Sequence, residues 1–195
     1  MPVQYNASEL ENFIAIKRDW IIKTSKYYVK LKERCGSHEP DTVYYLGSKY
    51  RFRVVKDRYT SVVVSEAMKL ISFHVPDRRK YKEQVQEWYR QQTTTIIQER
   101  LPPLAIRLNL LYNKVSIKNQ KSRWGSCSKK KNLNFNLLLA AVPLEVIDYV
   151  IIHELMHLIE LDHSPRFWQL VSAADPGYKE HKQWLADYAP VVKIG

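Results

Sequence analysis

Apolar positions are densest between Leu144 and Leu161, where LEVIDYVIIHELMHLIEL is hydrophobic nearly all the way round a helical wheel. A helix of that kind is buried on every side rather than laid on a surface with one wet face. It cannot simply continue. Ser164-Pro165 reads as an N-cap followed by proline at the first helical position, so a new helix starts there, with Phe167, Trp168 and Leu170 to pack. Asp175-Pro176-Gly177 breaks that helix, and Tyr178 to Ala189 forms a last one with Trp184, Leu185 and Tyr188 inward.

Upstream, Lys114 to Lys118 and Asn132 to Leu137 alternate as two strands, with Leu133, Phe135 and Leu137 inward and the asparagines outward. Tyr81, Val85, Trp88, Tyr89, Ile96 and Ile97 recur at helical spacing after Pro76-Asp77. That helix is expected to stop at Leu101-Pro102-Pro103, with a shorter one following through Ile106 to Leu111. From about Ile14 to Phe73 the pattern is short and β-like. Lys26 to Lys32 alternates, Val43 to Leu46 and Tyr50 to Val55 read as a hairpin about Gly47-Ser48, and Tyr59 to Val64 and Lys69 to Val75 add strands. The expected division is a β-rich region over residues 1–76 and a second domain over 77–195.

The buried helix carries the chemistry. His153, Glu154 and His157 form H-E-x-x-H. Residues four apart lie one above the other on a helix, so the two imidazoles can reach one metal ion. Glu154, about 100° round the axis, then sits beside the open coordination position, where a metal and a carboxylate together activate water. Zinc suits such a donor set. A hydrogen-bonded core cluster is the alternative, since buried polar groups need partners of some kind. A third ligand comes from His163 or Glu160. The turn demanded by Ser164-Pro165 can bring His163 back, whereas Glu160 shares the face of His153 and His157; His163 is favoured, and the loser can hold a ligand imidazole by its other nitrogen.

HELMHLIELDHSPRFW, together with SRWGSC at Ser122 to Cys127, resembles the YgjP-like metallopeptidases, relatives of the SprT and WLM groups of zincins, over about Asp77 to Val192. The spacing of the histidines also matches the metzincins, but Glu160 replaces their glycine, which sets this chain apart. The resemblance implies an α+β, zincin-like metallopeptidase domain with a buried HExxH helix, preceded by a small β-rich part. It implies His153, His157 and His163 as zinc ligands, Glu154 as general base and a polypeptide substrate. Arg123 can stabilise developing negative charge, and Tyr178 or His181 can supply an oxyanion donor.

Composition narrows the setting. With 195 residues, 45% of them hydrophobic, the chain can bury a real core, and only 5 Gly with no low-complexity tract argue against disorder. There is no long uninterrupted apolar run and no signal pattern at the start, so a soluble, cytoplasmic protein without a membrane partner is expected. Cys35 and Cys127 form no CxxC, and Cys127 reads as a small core or turn residue rather than a ligand. A net charge of +11 leaves nucleic acid open as a partner. Its one local concentration, Lys118, Lys121, Arg123 and Lys129 to Lys131, also reads as a solvated turn. The competing functions are a metal-dependent nucleotide phosphohydrolase and a nucleic-acid-associated module with structural zinc. The sequence sets no oligomeric state.

Overall fold

A computed structural model describes residues 11–19, 22, 25, 26, 29 and 41–188. The chain divides into two compact units, Met1–Glu39 and Pro40–Gly195. Residues 11–19 are helical, as are Ile22, Ser25, Lys26 and Val29, which corrects the β-like reading from Ile14 onward. The described stretch has good local reasons to be helical: Ala15, Lys17 and Arg18 favour it, and no glycine or proline lies within residues 11–19. The other residues of the Lys26 to Lys32 stretch lie outside those described.

In the second unit, β1 (Thr42–Tyr45) and β2 (Ser48–Lys56) form the expected antiparallel hairpin. Its two-residue turn puts both Leu46 and Gly47 at positive φ, 46° and 76°, as a twist-matched tight turn requires. Leucine is a poor residue for that conformation. The turn is held instead by its amides, which donate to Ala140 O at 2.8 Å and Ala141 O at 3.1 Å. β3 (Ser61–Ser65) and β4 (Leu70–Val75) complete a sheet of order β1-β2-β4-β3, with β2 and β4 parallel. Ile71, Phe73 and Val75 of β4 are buried.

Asp77 caps a short 3-10 turn by accepting from Arg79 N, and α1 follows from Tyr81 to Arg107. The expected stop at Leu101 is wrong: α1 runs straight through Pro102 and Pro103. Those prolines cannot donate to the carbonyls of Gln98 and Glu99, but both residues are exposed and water can take the place of the missing donors. Leu101 and Ala105 are buried and tie this last stretch to the core, which offsets the cost. No separate helix forms over Ile106 to Leu111, whose ends are highly exposed.

The second sheet has the order β5-β7-β6, from β5 (Val115–Lys118), β6 (Gly125–Cys127) and β7 (Leu133–Asn136). β5 and β7 are parallel; β6 lies antiparallel along the far side of β7. Leu133, Phe135 and Leu137 are buried as expected, but so is Asn136. Its amide donates to Gln120 O and Arg123 O, both at 2.7 Å, and its carbonyl oxygen accepts from Leu138 N at 3.1 Å. That asparagine thus fixes the start of the SRWGSC stretch.

α2 (Leu144–Met156) packs against α1, β6 and the two helices after it, α3 (Pro165–Ala174) and α4 (Tyr178–Tyr188). Val146, Ile147, Val150, Ile151, Ile152 and Leu155 are all buried, so α2 is the axle of the core. Leu185 of α4 is buried, whereas Tyr188 is 37% exposed and stacks on Trp184, against the inward position expected for it. Among the described residues no helix is long and apolar enough to cross a membrane.

Candidate metal centre

α2 ends at Met156, with His157 as its C-cap; His157 keeps helical angles and its amide still donates to His153 O at 3.3 Å. The motif therefore occupies the last turn of a buried helix. A tight turn follows, in which Ile159 N and Glu160 N both donate to Met156 O at 3.0 Å. Asp162 Oδ1 then accepts from Ser164 N at 2.9 Å, and Ser164 caps α3 by accepting from Phe167 N at 3.3 Å. This return brings His163 Nε2 to 3.1 Å from His153 Nε2. One nitrogen of each of His153, His157 and His163 lies within 4.8 Å of the others.

His157 Nδ1 lies 2.9 Å from the Glu160 carbonyl oxygen. A carbonyl can only accept, so Nδ1 carries a proton and Nε2 is the nitrogen left to meet a metal. Glu160 thus reaches the site through its backbone, while its carboxylate lies 3.8 Å from Arg166. Burial, followed by the charges of His157, His163 and Lys182, pushes His153 down to about 3. Burial, with His157 and Lys182 adding to it, also lowers His163. These two rings therefore stay neutral at ordinary pH, with lone pairs available.

Glu154 is 4% exposed, and its Oε2 has no hydrogen-bond partner; His153 Nδ1 is likewise buried and unpartnered. Burial pushes the Glu154 carboxyl up to about 8, against the pull of Arg123. The carboxyl lies on the backbone of β6. A Cβ added to Gly125 would sit 2.5 Å from Glu154 Oε1, 2.7 Å from Cγ and 2.8 Å from Cδ. Glycine in the SRWGSC motif is thus the space in which the Glu154 side chain lies.

These donors fit a zinc ion. Two nitrogens bound tetrahedrally at about 2.0–2.1 Å stand roughly 3.3 Å apart, close to the His153–His163 separation. Converging imidazoles beside a carboxyl with a free oxygen form a donor set that a dication satisfies better than any hydrogen-bond pattern among them.

The floor of the site is not visible in the sequence pattern. The buried Phe167 ring lies under all three imidazoles, with centroids at 4.9 Å from His153, 4.5 Å from His157 and 4.8 Å from His163. Trp168 stacks on His163 at 5.6 Å, and Lys182 Nζ stands 3.9 Å from the Trp168 centroid. By sequence pattern alone Phe167 and Trp168 are packing residues. Tyr149 is not singled out by that pattern either, although its position four before His153 places it on the same face of α2. A cavity of about 440 Å³ opens over the cluster, lined by Tyr149, Glu154 and the three histidines on one side and by Arg123 to Cys127 on the other. Burial, then the charges of Asp175 and Glu154, pushes the Tyr149 phenol up to about 12, so it remains a hydrogen-bond donor.

Arg123 is exposed at the cavity rim. Tyr178 and His181 do not line the cavity: Tyr178 stacks on Trp168 at 5.7 Å, and His181 Nδ1 pairs with Asp175 Oδ2 at 2.9 Å. Cys127 does line it but stays outside the histidine cluster, and burial pushes its thiol up to about 11. His74 is engaged with Asp57 at 2.9 Å, away from this cavity.

No curated protein matches the chain. The model of one family, the YgjP-like metallopeptidase domain, matches residues 1–188. The match spans both sheets and α1–α4 and agrees with an α+β, zincin-like architecture; the chain belongs to the YgjP-like metallopeptidase family.

Proposed function

We propose that the protein is a zinc-dependent peptidase in which Glu154 is the general base and His153, His157 and His163 hold the metal. The observation that carries this reading is the unpartnered Glu154 Oε2, buried in the same cavity as three converging imidazoles. A zinc ion held there supplies Lewis acidity that lowers the pKa of water, polarises a carbonyl and, as a neighbouring positive charge, draws the Glu154 carboxyl back towards its ionised form. Glu154 takes the proton of the attacking water and passes it to the leaving amine. Tyr149 and Arg123 line the same cavity, and their donors can serve the oxyanion that develops on the substrate.

β6 supplies the means of holding a peptide. Ser128 N donates to Asn132 O, Asn136 N donates to Trp124 O, and Ser126 stands opposite Asn134, so the even-numbered residues turn their backbone groups towards β7. By alternation, the N–H and C=O groups of Gly125 and Cys127 face the open edge, beside the cavity. An extended peptide can add there as a further strand.

The direct test is a substrate screen on zinc-loaded protein. Hydrolysis of unstructured polypeptide, with nucleoside triphosphates untouched, is the expected outcome. Triphosphate hydrolysis without peptide cleavage overturns the peptidase reading in favour of a phosphohydrolase. Salt-dependent nucleic-acid binding with no hydrolysis of either substrate favours a module with structural zinc. Glu154 argues against that third reading, because a structural site has four protein ligands and no use for a base.

A further inference from the structure

A peptide lying along β6 meets basic side chains beyond both ends of the strand. Between Leu101 and Leu144 the chain contains no aspartate or glutamate. Lys121 and Arg123 stand where β7 ends beside the start of β6, since Asn136 is bonded to both Gln120 O and Arg123 O, with Lys118 farther off on β5. Lys129 to Lys131 lie in the connection between β6 and β7, where Ser128 N donates to Asn132 O, with Lys114 farther off on the β5 side of β7, its carbonyl accepting from Leu133 N. All seven side chains are exposed. None forms an ion pair with a described carboxylate. The three residues of β6 between the two sets span about 10 Å.

We infer that the polypeptide taken along β6 is acidic, with carboxylates on both sides of the short stretch that pairs with Gly125 to Cys127. The inference rests on the peptidase reading and names its substrate class. Like charges on the adjacent Lys129, Lys130 and Lys131 repel one another in the free protein, and an anionic partner relieves that repulsion. The open backbone groups of Gly125 and Cys127 decide between kinds of polyanion. An extended peptide offers the alternating donors and acceptors that pair with them, whereas a nucleic-acid backbone offers phosphate oxygens and no such alternation. Arg123 joins the charged surface to the cavity, so a carboxylate at that end lies closest to the scissile bond.

The test uses the full zinc-loaded chain and labelled, unstructured peptides sharing one central sequence and flanked on both sides by Glu, Gln or Lys. The Glu-flanked peptide is expected to have the highest kcat/KM, about tenfold or more above the Lys-flanked one, with a gap that narrows as salt is raised. The K129E/K130E variant leaves the cavity residues and the left-handed Lys131 (φ 58°) untouched. It is expected to lower kcat/KM for the Glu-flanked peptide about fivefold and to leave the Gln-flanked peptide unchanged. Equal kcat/KM for the three peptides overturns the inference. If no peptide is cut, the peptidase reading fails, and fluorescence anisotropy of the same peptides judges the surface separately. Tighter binding of the Glu-flanked peptide, weakened in K129E/K130E, supports an acidic polypeptide partner; equal binding overturns it. A single-stranded oligonucleotide that binds more tightly than the Glu-flanked peptide, and loses that binding in K129E/K130E, overturns it in favour of nucleic acid.

Discussion

Replacing Gly125 by alanine isolates the contact between the SRWGSC motif and Glu154. The φ of Gly125 lies outside the left-handed range, so alanine suits the backbone and the effect is steric. The new methyl group would stand 2.5 Å from Glu154 Oε1 and under 3 Å from Cγ and Cδ. Reaching an ordinary contact of 3.4 Å requires a shift of about 1 Å by a side chain that is buried and has little room to move. Overpacking of this kind costs about 1–3 kcal/mol, and a 1 Å misplacement of a reacting group costs about 10²-fold in rate. Gly125→Ala is therefore expected to keep its zinc, lose about 10²-fold in kcat and melt several degrees lower. Zinc content, peptide turnover and thermal melting on one preparation check this. Wild-type turnover would refute the placement of Glu154 against β6.

Asn136→Ala removes, from a buried side chain, the bonds to Gln120 O and Arg123 O and the cap on Leu138 N, so the loop before β6 loses its tether to β7. A loss of about 3 kcal/mol is expected, or roughly 6–12 °C in Tm for a chain of this length, and calorimetry measures it. In metal-free protein the folded-state Glu154 pKa lies above its ordinary value, about 8 against 4.5, so between those values the folded state binds more protons than the unfolded one. Stability should fall as pH rises through that window, and Glu154→Gln should flatten this part of the profile. Denaturant titrations of both proteins across the window test it; parallel profiles would refute it.

Much of this was legible in the residues because local signals and packing agreed. Ser164-Pro165 is a cap with its own hydrogen bond, and it bends the chain wherever the helices lie, so the return of His163 could be read from it. Gly47 marked the hairpin for a similar local reason. What could not be read was decided by distant partners. α1 passes through Pro102 and Pro103 because Leu101 and Ala105 are anchored in the core, and no local rule contains that burial. β6 is three residues long, and serine, cysteine and glycine carry no alternating apolar signal; it is a strand because β7 pairs with it. Asn136 looked like an outward residue by alternation alone. It is buried because two carbonyls of the preceding loop need its amide. The role of Phe167 as a floor beneath three imidazoles depends on the angle at which α3 meets α2, which neither helix encodes alone.

The central claim is that Glu154 moves protons while the three imidazoles hold the metal, and one paired measurement on Glu154→Gln tests it most directly. Glutamine keeps the shape of the side chain but cannot accept a proton near neutral pH. Zinc content and peptide hydrolysis, determined on the same preparation, should show the metal retained in full and turnover lowered by about 10²- to 10⁴-fold. Full turnover with full zinc would contradict the role of Glu154 as base, and loss of the zinc would make it part of the metal's own support.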